Sequence, residues 1–255
     1  MGNFRGFCPG MANRFYDPGD QRAVRVKALF TRIAPRYDLI NDLQSLGLHR
    51  VWKRRLVRLA QPQAGERALD VCCGTGDIAL ALAGRGVDTV GLDFNRPMLE
   101  IAERRRDRLA RRGVVAAPGR VEFMEGDAQQ LPFPDATFDI VTVGYGLRNL
   151  ASWETGLQEM RRVARPGARL LVLDFGKPDN AVWRAVYFGY LRLVVPLLGL
   201  AVARSASAYA YILESLIHYP AQRGVAAKMT ELGLAEVRVF NLLGGVMSIN
   251  YGRRV

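Results

Sequence analysis

The chain has 255 residues, about half of them apolar and a quarter charged, with a formal net charge of +12. That apolar content excludes an intrinsically disordered chain, and three cysteines, two of them neighbours at Cys72 and Cys73, exclude a disulfide scaffold. No cluster of His, Cys and carboxylate ligands at metal-binding spacing is visible around either histidine, so no metal is expected.

Met1–Gly10 lacks the apolar core of a signal peptide, and residues 1–20 read as a flexible lead. Residues 21–62 form a helical arm with breaks at Ala34-Pro35 and Leu46-Gly47. From there β-prone runs alternate with helical patterns. Strands are expected at Ala68–Cys73, Val87–Asp93, Val121–Met124, Asp139–Val143 and Leu170–Phe175. Helices are expected at Asp77–Ala83, at Pro97–Ala110 with proline in the first turn, and at Trp153–Ala164 ended by Pro166-Gly167. This alternation over residues 63–179 predicts right-handed βαβ units and a parallel sheet covered on both faces. Residues 180–232 form a helical insertion. Residues 233–255 supply two strands, Ala235–Leu242 and Val246–Tyr251, joined as an antiparallel hairpin. The expected architecture is one α/β domain around a seven-stranded, mostly parallel, doubly wound sheet.

The basic surplus is uneven. Only Lys27, Lys53, Lys177 and Lys228 among the 36 basic residues are lysine, and the first 60 residues hold 12 basic against 4 acidic side chains. Such a surplus seeks nucleic acid, anionic lipid or an acidic substrate, or is simply a solvated arginine-rich face. The most apolar stretch, Val182–Ala203, is interrupted by Arg184, Arg192 and Pro196. Its longest charge-free run, Leu193–Ala203, is well short of the roughly 20 residues that span a bilayer. The chain is not expected to cross a membrane, though it can lie against one.

Ligands of such sheets bind beyond the carboxyl ends of the strands. The first strand ends in Asp70-Val-Cys-Cys-Gly74-Thr75-Gly76-Asp77, where two glycines let the backbone approach a ligand. The second ends in Asp93, a carboxylate placed to accept both hydroxyls of a ribose. The third leads to Asp127-Ala128, suited to an adenine amino group, and the fourth to Gly144-Tyr-Gly-Leu-Arg148-Asn149. Gly74-x-Gly76-x-x-Ala79 also satisfies a relaxed dinucleotide fingerprint, which alone is a weak signal. A pyrophosphate, however, would meet the carboxylates of Asp70 and Asp77, which instead suit the ammonium and sulfonium of S-adenosylmethionine. No Tyr-x-x-x-Lys pair exists for dehydrogenase chemistry.

At these residues the chain resembles the UbiE-type quinone C-methyltransferases. The resemblance is carried by Phe30-x-x-Ile-Ala-Pro-x-Tyr-Asp38 and Asn41-Asp42-x-x-Ser45-x-Gly47-x-His49-Arg50-x-Trp52-Lys53. It continues through Leu69–Asp77, Leu131-Pro-Phe-Pro-Asp135, Tyr145-Gly-Leu-Arg-Asn149, Tyr211 with Glu214-Ser215, and Gly244-Gly-Val246. It implies a class I S-adenosylmethionine-dependent methyltransferase fold acting late in menaquinone or ubiquinone synthesis, with a polyprenyl quinol as substrate and demethylmenaquinol favoured. It also implies Thr75 at the cofactor, Asp93 at its ribose, Asp127 and Ala128 at its adenine, and Gly144 near its methionine part through a backbone carbonyl alone.

Ring-carbon methylation needs an ionised quinol hydroxyl, and with a tyrosine-like pKa near 10 that costs about 4 kcal/mol at pH 7. A guanidinium about 4 Å away returns on the order of 4 kcal/mol. Arg148 is the candidate, with Asn149 orienting it and Tyr37 bonding the quinol. His49 is a further candidate, as a base. The plainer readings are an Arg148 ion pair with Asp38 or Asp139, a packed Tyr37, a surface or capping His49, and packed Cys72 and Cys73. The Val182–Ala203 helix, with Tyr187, Tyr190, Leu191, Leu193, Val194 and Leu198, shelters the prenyl tail or is an ordinary core helix. A nucleic-acid methyltransferase would add an Asn/Asp-Pro-Pro-aromatic motif or an RNA-binding module, and neither is present. The expected setting is the cytoplasm, peripherally at the inner face of an anionic membrane, with no nucleic-acid partner and with a homodimer admissible.

Overall fold

The computed structural model describes residues 20–112, 120–203 and 207–255; residues 1–19 and the expectation for them lie outside this range. Three helices open the chain: α1 (Asp20–Ile33), α2 (Tyr37–Ser45) and α3 (Leu48–Leu59). The expected breaks are a single 3₁₀ turn at Ala34–Arg36, with proline in its first turn, and a left-handed pair at Leu46 and Gly47.

The core then alternates β1 (Arg67–Val71), α4 (Asp77–Ala83), β2 (Asp88–Asp93), α5 (Arg96–Arg111), β3 (Val121–Glu125), β4 (Phe138–Gly144), α6 (Trp153–Val163) and β5 (Ala164–Phe175). Helix α5 starts where the Asn95 side chain accepts the Met98 N–H, followed by Pro97 in the first turn. Helices α7 (Ala181–Ala203), α8 (Ser207–His218) and α9 (Ala221–Glu231) precede the hairpin strands β6 (Leu234–Leu242) and β7 (Met247–Arg254). The seven strands run in the order β3-β2-β1-β4-β5-β7-β6, parallel except for β7, which is antiparallel to both neighbours. The order reverses between β1 and β4, which opens a crevice at their carboxyl ends.

One expected boundary is displaced. Helix α6 ends at Val163, ahead of Pro166-Gly167, because Ala136 N–H and Thr137 N–H claim the carbonyls of Arg162 and Val163. The chain enters β5 at Ala164 and carries the proline and glycine through an irregular register before pairing resumes at Arg169.

Two apolar clusters fill the fold. One runs from Val26, Leu29, Ile40 and Leu56 of the first three helices through Ile78, Ile140 and Leu171 to Tyr187 and Ile249. The first three helices and α7 are therefore packed into the same core as one face of the sheet. The other cluster, around Phe138, Leu157 and Met160, fills the opposite face under α6 and α9.

Candidate functional site

Beyond β1 the backbone turns sharply, with Cys72, Gly74 and Gly76 all at positive φ. Gly76 requires glycine twice over, since a Cβ there would meet the Phe123 ring at 2.8 Å in a left-handed conformation. The neighbouring loop is held from β2. Asp93 accepts the Gly74 N–H at 2.8 Å on one oxygen and the Asn95 N–H at 2.9 Å on the other. Burial lifts its carboxyl to about 6.

These strand ends wall a cleft of about 920 Å³, open to solvent, that brings Gly74, Asp93, Asp127, Ala128 and Gly144 together with Asn149. A smaller adjoining space of about 300 Å³ is bordered by Asp70, Thr75, Asp77, Lys53 and Gly144. Gly76 lies in neither and shapes the turn. Asp70 is fully enclosed, accepting the Thr142 hydroxyl at 2.8 Å and the Ala79 N–H at 3.1 Å, and burial raises its carboxyl to about 7. Thr75 is tied to the N-terminal helices: its hydroxyl donates to Asp38 at 2.9 Å and accepts from Arg105 at 3.0 Å. Lys53 reaches Asp77 at 2.7 Å and Arg105 reaches the other oxygen at 2.8 Å. Burial pushes the Asp77 carboxyl up, but these two cations outweigh it and hold it below its ordinary range.

A second cavity of about 980 Å³ lies between the first three helices, α7 and the end of β4. Its wall is apolar and aromatic, with Phe30, Trp52, Phe175, Tyr187 and Leu191 beside the polar groups of Tyr37, His49 and Arg148. Tyr37 borders all three spaces, and Phe30 and Tyr145 border both large ones. Tyr145 holds its ring there from a left-handed backbone, φ 65°. The hydroxyls of Tyr145 and Tyr187 are buried without a hydrogen-bond partner among the described residues.

Arg148 is enclosed, 6 % exposed, with its guanidinium 2.6 Å from Asp174 Oδ1, 2.9 Å from the Tyr145 carbonyl and 4.5 Å from the Phe175 ring centre. The partners suggested by the sequence are engaged elsewhere: Asp38 with Thr75 and Arg105, Asp139 with Arg165. Asn149 donates to the same Tyr145 carbonyl at 3.0 Å but borders the cleft, so Arg148 and Asn149 serve different spaces. On α7, Tyr187, Tyr190, Leu191 and Val195 line the second cavity, whereas Leu193 and Val194 are exposed and do not border it. The side chain of Leu198 lies outside those described.

Sequence reasoning passed over Lys53, Arg105 and Asp174, and it put His49 as a surface or capping residue ahead of a base. His49 is 4 % exposed and on the cavity wall. The signals were present but weak: a lone lysine in an arginine-rich helix, and an acidic residue ending the strand beside β4.

The fold is shared with solved methyltransferases. A SAM-dependent methyltransferase of Thermotoga maritima aligns with a TM-score of 0.63 at 16% identity, covering 90% of this chain and 100% of that one. A phosphoethanolamine N-methyltransferase of Haemonchus contortus, solved with S-adenosyl-L-methionine, aligns at 0.58 and 14%, covering 80% of this chain and 52% of that one. Closer in sequence is the ubiquinone/menaquinone biosynthesis C-methyltransferase UbiE of Azotobacter vinelandii, 40% identical over 238 residues, or 92% of either chain. The protein of that name from Pseudomonas fluorescens is also 40% identical, over 92% of this chain and 91% of its own. The model of the ubiE/COQ5 methyltransferase family matches residues 18–254, so it takes in the N-terminal helices and α7 as well as the sheet, and with that span the chain belongs to this family.

Proposed function

We propose that the protein methylates a ring carbon of a polyprenyl quinol, with demethylmenaquinol as acceptor and S-adenosylmethionine as donor. The observation that carries this reading is the meeting of a polar cleft and an apolar, tyrosine-lined cavity at Tyr37 and Tyr145. S-adenosylmethionine supplies an electrophilic methyl group on a sulfonium. The cleft fits it: Asp70 is a buried carboxylate with no ion pair among the described residues, matching a cationic ligand. Asp93 binds the ribose hydroxyls, Asp127 and Ala128 the adenine, and Thr75 and the Gly144 carbonyl flank the methionine part. In the second cavity Tyr37 and Arg148 hold the ring against the cleft, while Tyr145 and Tyr187, whose hydroxyls are turned into the protein, wall it with their rings. A naphthoquinol ring, apolar apart from its two oxygens, suits this wall. The equivalent benzoquinol of ubiquinone synthesis is the second reading. Incubation with methyl-labelled donor and each reduced acceptor tests both. Label is expected on the naphthoquinol ring, preferred label on benzoquinol would favour the second reading, and none on either would overturn the assignment.

Asp70 gives donor binding a pH dependence of known sign. Its folded-state carboxyl, at about 7, is mostly neutral below that value and attracts a cation only once ionised. Donor affinity is therefore expected to rise from about pH 5.5 to about 7.5 and then level, with proton release on binding. Ionising this raised group works against folding, so its contribution to stability is present at low pH and lost as pH rises from about 4 to about 7. Asp70→Asn is expected to flatten the affinity profile and to stabilise the donor-free protein at pH 8. Calorimetric titration in buffers of different ionisation enthalpy checks the first, and urea unfolding the second.

No helix among the described residues is long and apolar enough to cross a membrane. Val182, Val186, Leu193 and Leu197 form one exposed stripe along α7, on the back of the face that lines the acceptor cavity. We place this stripe against the lipid at the cytoplasmic face, with the exposed Arg54, Arg55 and Arg58 of α3 meeting anionic headgroups. Flotation is expected with anionic vesicles and reduced with neutral ones. Replacing Val186, Leu193 and Leu197 with serine is expected to abolish it, and equal binding to both vesicles would remove the electrostatic contribution.

A further inference from the structure

We infer that His49 is the base of the acceptor cavity, its Nε2 taking the ring-hydroxyl proton of the bound quinol; this rests on the quinol reading above. His49 opens α3 on the cavity wall, together with Tyr37 and Arg148. Its tautomer follows from its neighbours. Ser45 spends its one hydroxyl proton on the Asn41 carbonyl at 2.6 Å. The Ser45 oxygen then receives the backbone N–H of His49 at 3.2 Å and sits 2.9 Å from Nδ1. With its proton committed, that oxygen can only accept, so Nδ1 carries the imidazole proton. Nε2 is left with a lone pair, and no described residue donates to it.

The surroundings suit a proton acceptor that starts neutral. Burial, aided by the Lys53 cation, lowers the imidazole below its ordinary pKa. Asp42 on α2 and Asp77 on α4 oppose this, while Arg50 on the same helix adds to it; Tyr37, Tyr145, Arg148, Tyr187 and Tyr190 border the same cavity. Asp42 lies 3.7 Å from Nδ1, pinned by two bonds from Arg50 at 2.8 and 2.6 Å. It is placed to stabilise the imidazolium once that forms, as an orienting carboxylate does beside a catalytic histidine. A base is needed here because Arg148 is already paired with Asp174, which cancels most of the field it would exert on a quinol oxyanion.

The step balances as follows. The quinol O–H breaks, Nε2–H forms, and the electron pair stays on oxygen, delocalised to the adjacent ring carbon. That carbon bonds the methyl group as the S–C bond breaks, its pair remaining on sulfur. The ring C–H proton then leaves to water, the imidazolium returns its proton to oxygen, and one proton is released overall.

His49→Asn keeps a donor for Ser45 and removes the base. With label transfer by the wild type as the reference, kcat is expected to fall about 10²- to 10⁴-fold with donor KM within about twofold. The acid limb of the wild-type kcat profile is expected to vanish. A halogen-substituted quinol whose hydroxyl ionises near pH 7 is expected to restore most of the lost rate, which repair of a merely structural defect would not do. Because the chain has only two histidines, nitrogen-15 spectra give an independent reading: one imidazole protonated at Nδ1 and titrating below the usual histidine range, assigned by its absence in His49→Asn. A kcat within threefold of wild type, no rescue by the acidic quinol, or an Nε2–H tautomer overturns the proposal. Failure of the wild type to label any quinol overturns the acceptor assignment instead, and the spectra still read the tautomer.

Discussion

Asp93→Ala is expected to weaken S-adenosylmethionine binding about a hundredfold or more and to leave the fold standing. Two charge-assisted hydrogen bonds to a ribose, each contributing about 1.5–3 kcal/mol, account for the low end of that loss. The rest comes from the loop. Asp93 holds the Gly74 and Asn95 N–H groups, so its removal frees the turn that lines the cleft before any ligand arrives. Asp93→Asn retains an acceptor and is expected to fall between the two. Calorimetry with the donor and with S-adenosylhomocysteine measures this, and an alanine variant within tenfold of wild type would remove Asp93 from the ribose.

Arg148→Met carries the largest expected effect on stability. Its partner Asp174 is about as enclosed as Arg148 itself, and removing one member of a buried pair typically costs about 3–5 kcal/mol because the other charge is stranded. Asp174 also accepts the N–H groups of Arg148 and Phe175, so the stranded carboxylate sits where β5 leaves the sheet. The double variant Arg148→Met/Asp174→Asn is expected to recover more than half of the lost stability in urea unfolding. Methyl transfer is expected to stay low in the double variant if Arg148, on the cavity wall, holds the acceptor as proposed as well as the fold. If activity returned together with stability, Arg148 would be structural alone.

What the sequence disclosed depended on how locally each contact is encoded. Gly74, just beyond β1, and Asp93, ending the adjacent parallel β2, stand 19 residues apart, so one βαβ unit places them together. Asp127, Ala128 and Gly144 follow by the same reasoning at the next strand ends. The mostly parallel sheet needed only alternation and the terminal hairpin, while the insertion of β7 between β5 and β6 was not written locally, and the misplaced end of α6 reflects a contest for two carbonyls that no local pattern announces. Arg148 was legible as a strand-end residue, yet its partner was not: Asp174 becomes a neighbour only through β4–β5 pairing. The N-terminal helices were hardest to place. Thr75 with Asp38 and Lys53 with Asp77 join segments whose relative position is set by tertiary packing, so the loop read as purely ligand-facing is half-engaged by the protein itself.

One apolar cluster runs from Val26 and Leu29 through Ile140 to Ile249, and its members also back the acceptor cavity. Folding and acceptor choice are thereby selected on the same side chains. A change at Leu29 or Leu191 that would admit a new ring also loosens the core beneath the sheet, whereas Gln44 and Tyr190 border the cavity without belonging to its fully buried centre. Substitutions at those peripheral positions are therefore expected to alter the cavity at least cost to the fold, whereas changes in the interior of the arm disturb both.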